Sequence, residues 1–147
     1  TLVVTSAAPG EGKSTVLANL AIVMAQGEKR TVLVDADLRR PSLAKKCGLA
    51  PNHAGLTHFV SGTAKLEDCI EHLPKLKLHV MPAGIIPPNP LEMISSKKFA
   101  QALSNLRERF DRIIIDSAPL QLVSDAMDVE ADNFGDTSSP PNVLTLV

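Results

Sequence analysis

The sequence predicts an α/β domain of three layers, with helices on both faces of a mostly parallel sheet. Three observations carry that expectation. Apolar, β-branched runs at 1–5, 31–35 and 113–116 read as strands buried on both faces, the signature of a parallel sheet. Helix-period segments separate them, so each connection crosses over a face of the sheet instead of turning back as a hairpin. A chain of 147 residues is long enough for one core that buries roughly two thirds of its unfolded surface.

Taken in order, residues 1–5 form the first strand, closed by small residues and Pro9-Gly10. From Ser14 the apolar positions Val16, Leu17, Leu20, Val23 and Met24 recur at helical spacing as far as Gly27, a C-cap. Residues 31–35 form a second strand, reached by a right-handed crossover. Short helices are expected at 41–46 and 66–72, with loops at 51–55 and Ser61-Gly62. Residues 76–80 read as a third strand. The proline-rich stretch 82–90 after it is too rigid and donor-poor for sheet interior, so it is expected to cover something. A helix over 91–109 places Phe99, Leu103, Leu106 and Phe110 on one face and leads into a fourth strand at 113–116. Beyond Met127 the pattern degrades, and only 142–147 recovers a strand-like run. The expected organisation is a domain over 1–128, its sheet incomplete at the C-terminus, and an atypical tail over 129–147.

The 15 basic and 16 acidic residues are interspersed and leave a net charge of −1, so no electrostatic footprint for nucleic acid or anionic lipid is visible. Cys47 and Cys69 lack metal-ligand spacing and read as core or half-buried thiols. With no signal-peptide pattern and no apolar run of about 20 residues, a reducing, cytoplasmic setting is expected. The chain begins within a strand and without Met, as an excised piece of a longer polypeptide would. It contains neither Tyr nor Trp.

Residues 7–14 match the phosphate-loop spacing G-x-x-x-x-G-K-[ST], with Ala7 in place of the first glycine. In such a loop Pro9, Gly10, Glu11 and Gly12 let successive backbone N–H groups converge on phosphate at the positive end of the following helix. Lys13 then reaches the β- and γ-phosphates, Ser14 offers a hydroxyl to Mg²⁺, and Thr15 is the next contact toward the α-phosphate. Flanked by strand and helix, the motif makes the fold that of a P-loop NTPase and the ligand a nucleoside triphosphate with magnesium.

Acids follow where ligands of open α/β sheets bind, beyond the carboxyl ends of the strands. Asp35 and Asp37 end the second strand: one can hold the water shell of magnesium while the other accepts a proton from an attacking hydroxyl. Asp116 ends the fourth strand, in the position of a Walker B carboxylate. Arg39 and Arg40 either neutralise charge on a transferring phosphate, contact a partner subunit, or are simply solvated. His53, His58, His72 and His79 have no metal or nucleophile spacing. Residues 87–90 with Ser95-Ser96 suit either a nucleotide-edge or interface element, or a rigid turn with N-capping serines.

Together these residues resemble the bacterial protein-tyrosine kinases of exopolysaccharide and capsule synthesis, whose P-loop domain is unrelated in fold to eukaryotic kinases. The resemblance covers 1–125 and rests on an ordered triplet: 6–15 as Walker A, 32–42 as Walker A′ and 113–119 as Walker B. Gly55-Leu56, 82–84, 87–90, Ser95-Ser96 and 123–126 are similar to that family's connecting segments. Septum-site and plasmid-partition ATPases of the same superfamily typically carry a signature lysine early in the loop, where this chain has Ala8.

The resemblance implies a protein-tyrosine kinase that uses ATP and Mg²⁺. Lys13 and Ser14 would bind phosphate and metal, Asp35 and Asp37 would assist magnesium placement and tyrosine activation, and Asp116 would complete the metal environment. Nucleotide binding then falls to Pro9, Gly10, Glu11, Gly12, Lys13, Ser14, Thr15 and Arg39, while the resemblance leaves open which aspartate is the base. Implied partners are a tyrosine-rich protein tail as acceptor, the activator region of a membrane polysaccharide co-polymerase, and further copies of the chain. The implied place is the cytoplasm, at the inner face of the cell membrane through a partner or a segment outside this sequence. The family's tyrosine tail and the interface helix ahead of the first strand are not in these 147 residues, and 129–141 matches nothing in the family. Two other readings stand beside the kinase: a partition- or septum-type ATPase, and a catalytically inactive nucleotide-binding regulatory module.

Overall fold

Six strands form one sheet in the computed structural model, which describes residues 2–6, 13–27, 29–38, 41–117 and 142–146. In chain order the elements are β1 (Leu2–Ser6), α1 (Lys13–Ala25), β2 (Thr31–Ala36), α2 (Leu43–Lys46), α3 (Leu56–Ser61), α4 (Leu66–Cys69), β3 (Glu71–Leu73), β4 (Leu78–Met81), α5 (Pro90–Ile94), α6 (Lys97–Arg109), β5 (Arg112–Ser117) and β6 (Asn142–Leu146). Across the sheet the order is β3-β4-β2-β5-β1-β6. Every neighbouring pair is parallel except β3 with β4. The strand-like run near the C-terminus does enter the sheet, as β6 beside β1.

Side chains alternate across a strand, so each central strand feeds two cores. Val32, Val34, Ala36, Ile113 and Ile115 meet Leu56 and Val60 of α3 and Phe99, Leu103 and Leu106 of α6 on one face. Leu33, Ile114, Leu78 and Val80 meet Ala21 and Ala25 of α1 and Leu43 of α2 on the other. Each fully buried Leu, Ile or Phe contributes roughly 1.5–3 kcal/mol of transfer free energy, which is why three layers form.

Several expectations need correction. Among the α1 residues whose side chains are described, Ala21 and Ala25 are buried, while Val23 is 69% exposed. The helix is apolar nearly all round, so periodicity did not single out the face, and the small alanines are what approach the sheet. The helix expected over 66–72 stops at Cys69, because Ile70 is extended and 71–73 form β3. A four-residue turn with Lys77 at φ 54° returns the chain, so the third strand starts at Leu78 and not at residue 76. Nothing in Glu71-His72-Leu73 reads as a strand alone; pairing with β4 makes it one. A helix at Leu56–Ser61 was not foreseen. The helix expected over 91–109 is two helices, divided at Ser95-Ser96. Ser96 divides them: its hydroxyl donates to the Met93 carbonyl at 2.7 Å and accepts from the Phe99 N–H at 3.1 Å, ending one helix and capping the next.

The proline-rich segment covers the start of α3. Leu56 N–H and Thr57 N–H, otherwise orphaned at a helix N-terminus, donate to the Pro82 and Ala83 carbonyls at 2.8 and 2.9 Å. His58 Nδ1 accepts from the Gly55 N–H at 3.1 Å. The approach is so close that a Cβ on Gly55 would stand 2.2 Å from the Pro82 oxygen, and one on Gly84, at φ +84°, would stand 2.5 Å from Thr57 Oγ1. Gly55→Ala is therefore expected to destabilise the domain by roughly 1–3 kcal/mol. Gly27→Ala, which meets nothing within 4 Å, should cost far less. Urea denaturation of the two variants checks this.

Candidate functional site

The carboxyl ends of β1, β2 and β5 lie side by side at the centre of the sheet, and the three sequence motifs follow from them. α1 begins at Lys13, so Lys13, Ser14 and Thr15 make up its first turn, where orphan N–H groups and the dipole favour an anion. Pro9, Gly10, Glu11, Gly12, Arg39 and Arg40 lie outside the described residues.

Asp35 and Asp116 are register partners on adjacent parallel strands. Two residues beyond Leu33 and Ile114, they share the face toward α1 and α2, about 4.8 Å apart strand to strand. Asp35 is 0% exposed and Asp116 1%. Burial, and next the charge of Asp116, push the Asp35 carboxyl up from 3.8 to about 7. Three backbone donors oppose that rise. Asp37 N–H donates to Oδ1 at 3.1 Å, and Ser42 and Leu43 N–H donate to Oδ2 at 3.1 and 3.2 Å.

These bonds identify a role that sequence reasoning missed. Asp35 closes the turn from the end of β2 to the start of α2, and the backbone of Asp37 is held within that turn. Of the roughly four lone-pair positions on a carboxylate, three are used, leaving one on Oδ1 for a hydroxyl or a metal-bound water. The donor set of the pair is all oxygen, as a hard cation such as Mg²⁺ requires. Among the described residues no group of three or more His, Cys, Asp and Glu could hold a metal.

Alongside Asp35 opens a cleft of about 490 Å³, walled by Pro41, Lys45, Leu49, Pro51 and His53 with the 82–84 segment at its back. A hydrophobic walling of this kind around a carboxylate carries no sequence motif, so it could not be read in advance. The other histidines stand elsewhere. His72 and His79 stack across β3 and β4 with ring centroids 4.3 Å apart, and Phe110 meets His79 edge-on. Cys69 is buried and Cys47 half-buried, both free, and burial raises both thiols.

Comparison with known proteins places the chain in a family. A family model described as an AAA domain matches residues 1–133. The chain is 40% identical over 125 residues to the tyrosine-protein kinase YwqD of Bacillus subtilis, an alignment covering 85% of this chain and 52% of that protein. It thus spans about half the length of that relative. The crystal structure of the VpsO kinase domain superposes with a TM-score of 0.86 at 38% identity, over 99% of this chain and 68% of the other. The septum site-determining protein MinD of Pyrococcus horikoshii, complexed with Mg-ADP, is more distant: TM-score 0.67 and 27% identity, over 88% of this chain and 53% of that one.

The raised Asp35 pKa has a stability consequence. Between pH 3.8 and about 7 the folded state holds a proton that the unfolded state has lost, so this stabilisation is complete below pH 3.8 and is lost as pH rises through about 7. The nucleotide-free chain should lose stability between about pH 4 and pH 7 relative to Asp35→Asn, with a slope of at most about 1.4 kcal/mol per pH unit. Asp116→Asn should move the loss to lower pH. Denaturant midpoints across that range test both, and parallel curves for wild type and Asp35→Asn would contradict the assignment.

Proposed function

We propose that this chain, which belongs to the bacterial protein-tyrosine kinase family of P-loop, AAA-type domains, binds ATP with Mg²⁺ and transfers the terminal phosphoryl group to a tyrosine hydroxyl on another polypeptide. The observation that carries the reading is the buried, in-register pair of Asp35 and Asp116 beside the strand that feeds the phosphate loop.

In this reading the loop from Pro9 to Gly12 and the first turn of α1 cradle the triphosphate, with Lys13 on the β- and γ-phosphates and Thr15 toward the α-phosphate. Ser14, Asp35 and Asp116 would hold Mg²⁺, which would neutralise charge on the phosphates when bound. In the metal-free chain the Asp35 carboxyl is raised to about 7; Mg²⁺ beside it would lower that value, so Asp35 would meet the attacking hydroxyl as a carboxylate. Asp37, next to it in the turn, shares the orientation of the attacking hydroxyl, and Arg39 steadies the nucleotide. The domain of 1–128 carries this chemistry. No helix among the described residues is long and apolar enough to cross a membrane. The proposed setting is the inner face of the cell membrane, reached through the activator region of a polysaccharide co-polymerase. A tyrosine-rich tail is the acceptor and further copies of the chain are neighbours. With no Tyr in its 147 residues, the chain acts on tyrosines supplied by another segment.

Lys13→Ala removes a charge-assisted phosphate contact. Nucleotide affinity is expected to fall by the equivalent of roughly 1.5–3 kcal/mol and transfer to fall further, since the contact strengthens as charge develops. Asp35→Asn should leave metal-free ADP binding nearly intact, reduce its enhancement by Mg²⁺, and lower transfer at least ~100-fold, the lower range for a positioned base. Radiolabelled ATP, a tyrosine-rich acceptor tail and the activator segment provide the assay. ATP binding without any transfer would instead support the inactive-module reading.

A further inference from the structure

We propose that the cleft between α2 and the 82–84 segment is the acceptor subsite, taking the ring of a tyrosine whose neighbours are acidic, with Leu49 and Lys45 as specificity-determining residues. The inference rests on the kinase reading for the identity of its substrate. Its geometry rests on the cleft itself.

Sheet order sets the arrangement. From β1 outward the carboxyl ends run β1, β5, β2, β4. The phosphate loop follows β1, Asp116 ends β5, and Asp35 ends β2. The cleft lies on the far side of Asp35, toward β4, where Pro82, Ala83 and Gly84 continue that strand. A group entering it reaches Asp35 from the β4 side of the carboxylate pair, away from β1, the strand that leads into the phosphate loop.

The walls suit a ring. Pro41, Leu49 and Pro51 present rigid apolar surface, and about 490 Å³ is within the range of small-ligand sites. Asp35 is fully buried at the inner end and keeps one acceptor position, matching a phenolic hydroxyl.

The rim has polarity. Lys45 is exposed at the mouth and makes no salt bridge among the described residues, so its ammonium is available to a carboxylate beside the acceptor tyrosine. His53 is held in the wall, Nδ1 donating to the Ala54 carbonyl at 2.6 Å and Nε2 3.3 Å from Glu71 Oε2. That ties the 51–55 loop to β3 and keeps the cleft from closing.

Binding of a Glu-Glu-Tyr-Glu peptide and of a Lys-Lys-Tyr-Lys peptide to the full chain, by NMR and fluorescence anisotropy with ADP and Mg²⁺ present, tests the proposal without requiring transfer. The acidic peptide should shift the amides of Ala44, Gly48, Leu49 and Gly84 and bind about tenfold more tightly than the basic one. Lys45→Glu should reverse that preference. Leu49→Trp, which fills the cleft, should abolish peptide binding, and both variants should keep ADP affinity. Equal binding of the two peptides, shifts elsewhere, or no binding at about 1 mM peptide would overturn the inference. Peptide seated in the cleft without phosphoryl transfer would count against the kinase reading alone, and transfer without charge preference against the subsite alone.

Discussion

Two carboxylates buried side by side at the ends of adjacent strands are unfavourable for a fold, and Asp35 bears that strain in a carboxyl raised to about 7. What holds the arrangement is backbone: three N–H groups from Asp37, Ser42 and Leu43 converge on Asp35. The same three bonds bring the chain out of β2 and into α2. α2 in turn forms one wall of the cleft, so the turn, the helix and the cleft all depend on that one side chain. A carboxylate that shapes a turn can also be aimed with little freedom, which is what proton abstraction needs.

The scaffold leaves little room for adjustment around this centre. The β2–β5 ladder runs from Thr31–Arg112 to Ala36–Ser117, so the separation of Asp35 and Asp116 is set by six consecutive register pairs. Ile113, Ile114 and Ile115 lock β5 by burial on both faces. On the far side, the 82–84 segment is hydrogen-bonded to the start of α3 and pressed against Gly55, so the back of the cleft is fixed as well. Substitution at Gly55 or Gly84 is thus expected to reach the site through its walls without touching the acids.

Relatives share this plan to different degrees. Similarity to the VpsO kinase domain exceeds that to MinD in both superposition and identity.

Local chemistry alone made the strands at 31–35 and 113–116 and the acids at their ends legible, because each is a pattern within about ten residues. The face of α1 was not legible, since a helix apolar all round has no preferred side until a sheet selects the alanines. β3 was not, since Glu71-His72-Leu73 becomes a strand only by pairing with β4. The partnership of Asp35 with Asp116, the pressing of 82–84 onto Gly55, and the cleft between them join residues from about 30 to 80 positions apart. Those contacts follow from the strand order β4-β2-β5, and strand order is decided by how whole layers bury their apolar faces, a quantity no local stretch of sequence contains.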